Sequence, residues 1–99
     1  MFTPEHNDAD RYYASRARFT QVGDPWERAR LLLYLNRHGY NGLCHYNAAG
    51  LFNVPFGRYP RPYFPETDLA GFIAAAPRTH LAVGDFRTVM RAAVPGDVV

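Results

Sequence analysis

A chain of 99 residues that is 47% hydrophobic and 20% charged has room for a single core, so it is one small domain or part of a larger one, and two domains are excluded. The formal net charge is only +2, yet all 11 basic residues are Arg; the guanidinium fork suits phosphates and guanine edges, a reason that competes with plain GC-rich codon usage. No apolar run approaches the roughly 20 residues of a bilayer span, residues 1 to 20 carry charges where a signal peptide needs an apolar stretch, and a lone Cys44 excludes an internal disulfide framework and fits a reducing compartment.

In chain order, residues 8 to 20 predict a helix with Asp8 or Asp10 at its start and a partial apolar face of Tyr12, Tyr13, Ala17 and Phe19. Gln21 to Gly23 breaks it. Asp24, Pro25 and Glu27 then form a helix-start signature, a cap followed by Pro at the first helical position, for a second helix from Pro25 to about Asn36. Its unbroken apolar run, Leu31 to Leu35, predicts burial on most sides against something larger than this chain. Gly39, Gly42, Gly50 and Gly57 come too often for a helix, so Leu43 to Tyr46 and Leu51 to Val54 read as the strands of a β-hairpin turned by Asn47 to Gly50. Within them Cys44 reads as a small buried hydrophobe. Pro60, Pro62 and Pro65 keep residues 59 to 65 extended. Glu66, Thr67 and Asp68 can cap a helix through LAGFIAAA that stops at Pro77; His80 to Val83 reads as a strand, Phe86 to Ala93 as a helix, and Asp97 to Val99 as the beginning of another strand. That last stretch resembles half of an α/β unit.

Charge is unevenly placed. No acid lies between Glu27 and Glu66, where Arg28, Arg30, Arg37, Arg58 and Arg61 alternate with Tyr34, Tyr40, Tyr46, Tyr59 and Tyr63. Cations interleaved with aromatic rings suit a surface that tracks phosphates and stacks on bases, and equally suit an aromatic core ringed by solvated Arg. His38, His45 and Cys44 do not complete a tetrahedral metal site, which leaves the histidines as surface residues and predicts no metal. No glycine-rich phosphate loop, serine elbow or carboxylate pair occurs. The predicted hairpin does assemble groups for nucleic acid: Tyr40 to wedge or stack, Asn41 and Asn47 for phosphate or base edges, Leu43 and Pro55 for a thymine methyl, Arg37 and Arg58 for phosphates. The competing reading gives Asn41, Asn47 and Asn53 only local backbone bonds in a tight turn.

The run LYLNRHGYNGLCHYNAAGLFNVPFGRYPRPYFPE, residues 33 to 66, resembles the DNA-recognition segment of the Dam family of DNA adenine methyltransferases, the D12 class. The match is dense from Asn36 to Pro65 and looser on both sides, over essentially the whole chain. The resemblance implies an α+β fragment: a helical target-recognition domain with a β-hairpin at about residues 40 to 59, occupying 1 to 76, and a strand-helix piece of a Rossmann-like methyltransferase domain at 77 to 99. It further implies methyl transfer from S-adenosylmethionine to adenine N6 in a GATC-like site of double-stranded DNA, after base flipping. The family's glycine-rich cofactor loop and Asp-Pro-Pro-Tyr motif are not in these residues. The chain is therefore expected to be an inactive middle piece of a cytoplasmic, bacterial or phage-type enzyme that is monomeric at full length, with marginal folding or self-association of the isolated piece. The alternative is a stand-alone DNA-binding or regulatory module derived from that domain.

By position, the resemblance makes Tyr40 the aromatic that enters the duplex and Asn41 a contact to the vacated partner or its phosphate. Leu43 and Pro55 become base-edge contacts; Asn47, Arg37 and Arg58 phosphate contacts; Arg16 a further DNA contact. Asp85 and Phe86 become the pair beside the cofactor's adenine. One position departs from the pattern: His45 stands where the family usually has the Arg that reads a guanine bidentately. A single imidazole donor predicts looser reading of that pair, by roughly 1 to 3 kcal/mol.

Overall fold

The computed structural model describes residues 1 to 98. By its internal contacts the chain falls into two compact units, Met1 to Phe64 and the remainder from Pro65.

The first unit is built on two helices. A single turn of 3₁₀ helix at Pro4–His6 leads into α1, Ala9–Gln21, whose start is set by Asp8: its carboxylate accepts the backbone N–H of Arg11 at 3.1 Å. After a three-residue break, α2 runs Pro25–His38, with Pro25 in its first turn and the Asp24 carboxylate accepting from Glu27 N at 3.1 Å. Both starts lie where the Asp and Pro signals place them, and α2 continues two residues past the expected end at Asn36.

The leucine run does not need a larger partner. Helical geometry separates its neighbours, so Leu31, Tyr34, Leu35 and His38 form one buried stripe at spacings of three and four while Leu32 stays 38% exposed. Leu33 shares a shallow hollow with Met1, Phe2, Arg30 and Phe64. The stripe meets Tyr12 and Phe19 of α1 and Phe52 and Val54 of the following segment in one core. Buried hydroxyls are satisfied: Tyr12 Oη donates to Val54 O at 2.8 Å and Tyr34 Oη to His6 O at 2.6 Å.

The predicted β-hairpin is not formed. Only two isolated antiparallel bridges occur in this region, Gly39 with Phe56 and Tyr46 with Phe52. Their registers differ, because residues 40 to 45 on one side face only 53 to 55 on the other; the surplus is taken up by a 3₁₀ turn at Tyr40–Gly42. At the far end the Asn47 side chain intercepts the ladder: its Oδ1 accepts from both Ala49 N and Leu51 N at 3.0 Å, so Leu51 N is not available to Asn47 O. Cys44, expected inside a strand, is exposed.

The second unit holds α3, Glu66–Ala75, a 3₁₀ turn at Ala76–Arg78 containing Pro77, and a short α4, Phe86–Met90. Residues 80 to 83 are not a strand; Leu81 and Val83 are 79% and 107% exposed, so these apolar side chains lack the flanking strands that an extended apolar segment needs. The expected last helix ends at Met90 in a turn, and Asp97 and Val98 form no strand, while Val99 lies outside the described residues. The strand-helix piece is thus a helix only, and the described chain is predominantly helical.

Candidate nucleic-acid interface

Residues 39 to 59 form an irregular loop pinned to the helices from beneath. Tyr40 N donates to Pro55 O at 2.9 Å and Gly57 N to His38 O at 2.8 Å, which closes the base of the loop. Gly39 sits at this closure with no room for a side chain: a Cβ there would lie 2.5 Å from Leu35 O and 2.8 Å from Tyr12 Oη. From α1, Arg16 reaches across to Val54 O at 3.1 Å, while its guanidinium stacks 4.7 Å over Tyr13. Two side chains of α1 therefore hold one carbonyl of the loop, since Tyr12 bonds the same oxygen. Burial pushes the Tyr12 hydroxyl up to about 12, so it stays a donor through the neutral range.

On this base the segment's aromatic residues divide. Phe52 and Tyr34 are buried, whereas Tyr40 is 51% exposed and Leu43 48%. Tyr46 packs edge-on against Phe52 and is still 43% exposed. Neither competing composition reading holds alone: some rings make the core and others face solvent.

Besides glycines, two described residues carry the backbone into the left-handed region, Asn41 at φ +53° and Arg58 at φ +56°. Asn tolerates that region through its short polar side chain; a long Arg does so at a cost. Asn41 is held there by Tyr59, whose hydroxyl accepts Asn41 N at 2.8 Å. Beside this bond lies an open cleft of about 610 Å³ lined by Asn36, Arg37, Asn41, Gly42, Tyr59 and the run from Pro60 to Tyr63. Arg37 lies over the Tyr63 ring at 5.4 Å, and its buried Nε has no protein partner. Arg37 and Asn41 are thus brought to one cleft, with Arg61 as a second guanidinium.

The other sequence-derived candidates are placed as follows. Pro55 is exposed, and its carbonyl is spent on Tyr40 N. Asn47 Oδ1 is used by the turn it organises, as the local-bond reading expects. His45 is exposed and pairs with Asn53, Nδ1 to Oδ1 at 2.7 Å. Arg58 is exposed and forms no ion pair among the described residues. Asp85, in the second unit, caps α4 through Arg87 N at 2.8 Å and binds the Arg87 guanidinium with both oxygens, at 3.0 and 2.9 Å. The Arg87 guanidinium beside Asp85 holds its carboxyl below the usual range. Phe86 is 69% exposed.

His38 corrects the surface reading of the histidines. It is 1% exposed, its Nδ1 donates to Tyr34 O at 2.9 Å, and its ring stacks on Tyr34 at 4.1 Å. Burial pulls it below the ordinary histidine value near 6.5. The sequence offers Tyr59 only as one of several interleaved rings and Asn53 only as a turn residue; their bonds to Asn41 N and His45 Nδ1 cross the loop, where no local pattern marks them. Among the described residues no group of three His, Cys, Asp or Glu side chains could hold a metal ion.

The family model for D12 class N6 adenine-specific DNA methyltransferase matches residues 1 to 99. A DNA adenine methylase of Serratia marcescens is 46% identical over 99 residues, covering all of this chain and 37% of that protein. One of Escherichia coli K12 is 58% identical over 76 residues, covering 77% of this chain and 27% of that protein. The DNA N-6-adenine-methyltransferase of Escherichia phage P1 is 44% identical over 99 residues, 13% of its length. The chain spans about a quarter to a third of the bacterial relatives it matches. On a family match along its whole length, the chain belongs to the D12 class of N6 adenine-specific DNA methyltransferases.

Proposed function

We propose that this chain is the DNA-reading part of a site-specific adenine N6-methyltransferase acting on a GATC-like site, residues 1 to 76 forming the recognition segment and 77 to 99 the return toward a catalytic domain. The observation that carries this reading is the loop of residues 40 to 58: it is pinned at its base by Tyr12, Arg16 and Gly39, yet leaves about half of Tyr40 and of Leu43 open to solvent. A rigid base with exposed aromatic and basic tips is what insertion into a duplex requires, since ordering the loop on binding then costs little.

In this reading Tyr40 enters the duplex where the adenine leaves it, and Asn41 meets the vacated partner or its phosphate. Leu43, His45 and Pro55 face base edges. Arg37, Arg58 and Asn47, with Arg16 behind them, serve phosphates; Arg37 reaches the duplex from the cleft it shares with Asn41. S-adenosylmethionine supplies the methyl group when bound. Phe86 offers an exposed ring for its adenine, whereas the Asp85 carboxylate is engaged by Arg87 and must share that partner to contact a ligand. The 99 residues carry neither a glycine-rich loop nor Asp-Pro-Pro-Tyr, so DNA recognition without methyl transfer is the activity assigned to them.

Competition binding tests the reading. The chain is expected to prefer a GATC duplex over a scrambled one of equal length, and Tyr40→Ala to remove most of that preference while leaving the thermal melt unchanged. Equal affinity for both duplexes in the wild type contradicts site recognition.

A further inference from the structure

The histidine at position 45 does not stand alone. Its Nδ1 lies 2.7 Å from Oδ1 of Asn53, across the loop, and Asn53 N donates to His45 O at 3.1 Å, so the two residues are joined through both backbone and side chain. An amide oxygen only accepts hydrogen bonds. The imidazole must therefore carry its proton on Nδ1, and in the neutral ring Nε2 is left as a bare acceptor on an exposed side chain.

We propose that Asn53 is a specificity-determining positioning residue: by fixing the tautomer of His45 it turns this position from a reader of guanine into a reader of an exocyclic amino group. The inference rests on the DNA-reading role given above. The chemistry follows from the major-groove edges. Guanine shows two acceptors there, N7 and O6, and an acceptor nitrogen facing them is repelled. Cytosine N4 and adenine N6 carry amino donors, and Nε2 of neutral His45 can accept from either. In a G·C pair the partner for His45 is then the cytosine, on the opposite strand from the base an Arg would grip. Asn53 is exposed, so changing its side chain alters the tautomer without opening the core.

Single-group deletions in the DNA test this directly. The full chain is titrated at about pH 8 with GATC duplexes whose outer pair carries either 7-deazaguanine or a cytosine analogue lacking the 4-amino group. Wild-type binding is expected to be unchanged by loss of guanine N7 and to weaken about tenfold on loss of the amino group. In Asn53→Ala the ring is free to place its proton on Nε2, and sensitivity is expected to move to guanine N7. Nitrogen-15 NMR of His45 in the free chain is expected to show the proton on Nδ1, independently of any DNA. A proton on Nε2, a wild type that loses affinity with 7-deazaguanine, or indifference to both deletions overturns the inference while DNA recognition stands. Failure to bind the unmodified duplex overturns the recognition reading and this inference together, and the NMR result still reports the tautomer.

Discussion

At Arg58 local strain falls on a residue to which the proposed function gives a phosphate contact. At φ +56° a side chain with a Cβ is penalised by about 1 to 2 kcal/mol, and Arg58 is exposed rather than packed in the core. Arg58→Gly is therefore expected to raise stability by about 1 kcal/mol, read as an upward shift in the melt, while weakening DNA binding. Gly39 makes the opposite case, with an ordinary φ of −78° but no space. Gly39→Ala is expected to cost about 1 to 3 kcal/mol in denaturant unfolding, because a Cβ at 2.5 Å from Leu35 O forces the loop base off the helix end.

His38 links stability to pH. Burial, more than the nearby His6 and N-terminus, depresses its affinity for a proton, against the opposing bond to Tyr34 O. Above about 6.5, folded and unfolded chains both hold it neutral. Below that value the unfolded chain is protonated first, so stability falls with pH until the folded-state ring titrates too. The wild type is expected to exceed His38→Gln in stability near neutrality, and the gap to narrow toward about pH 5 when both are followed by denaturant titration.

At the scale of elements, helices were legible because their signals are local. Asp24, Pro25 and Glu27 specify the start of α2 within four residues, and the carboxylate of Asp24 indeed takes Glu27 N. Removing that cap with Asp24→Ala is expected to cost about 1 kcal/mol. The loop was less legible. Glycine spacing and alternation indicate a hairpin, but register depends on pairings across the loop: the left-handed turn at Asn41, the Asn47 side chain that takes Leu51 N, and the Tyr12 and Arg16 bonds to Val54 O. The apolar run of α2 misled for a related reason. Adjacency along the chain suggests burial all round, whereas the helical repeat turns Leu32 outward and aligns Leu31, Leu35 and His38. Burial of His38 could be inferred only by extending that stripe two residues beyond the expected helix end.

For the molecule as a whole, composition is nearly neutral and geometry decides. The acid-free stretch from Arg28 to Pro65 places its cations unequally: Arg28 lies over Phe19, Arg37 over Tyr63, and Arg58 reaches solvent. The motif residues from Asn36 to Pro65 pointed to the family, and the match along the whole chain establishes it. What the motifs do not carry is the wiring beneath them, in which Tyr59 sets Asn41 and Asn53 sets His45. The central claim, that this surface reads DNA through its phosphates and bases, is tested most directly by the salt dependence of duplex binding. Phosphate contacts from Arg16, Arg37 and Arg58 give a log-log slope of roughly −2.7, and Arg58→Ala is expected to make it shallower by about 1; a slope near zero, or one unmoved by that substitution, contradicts the account.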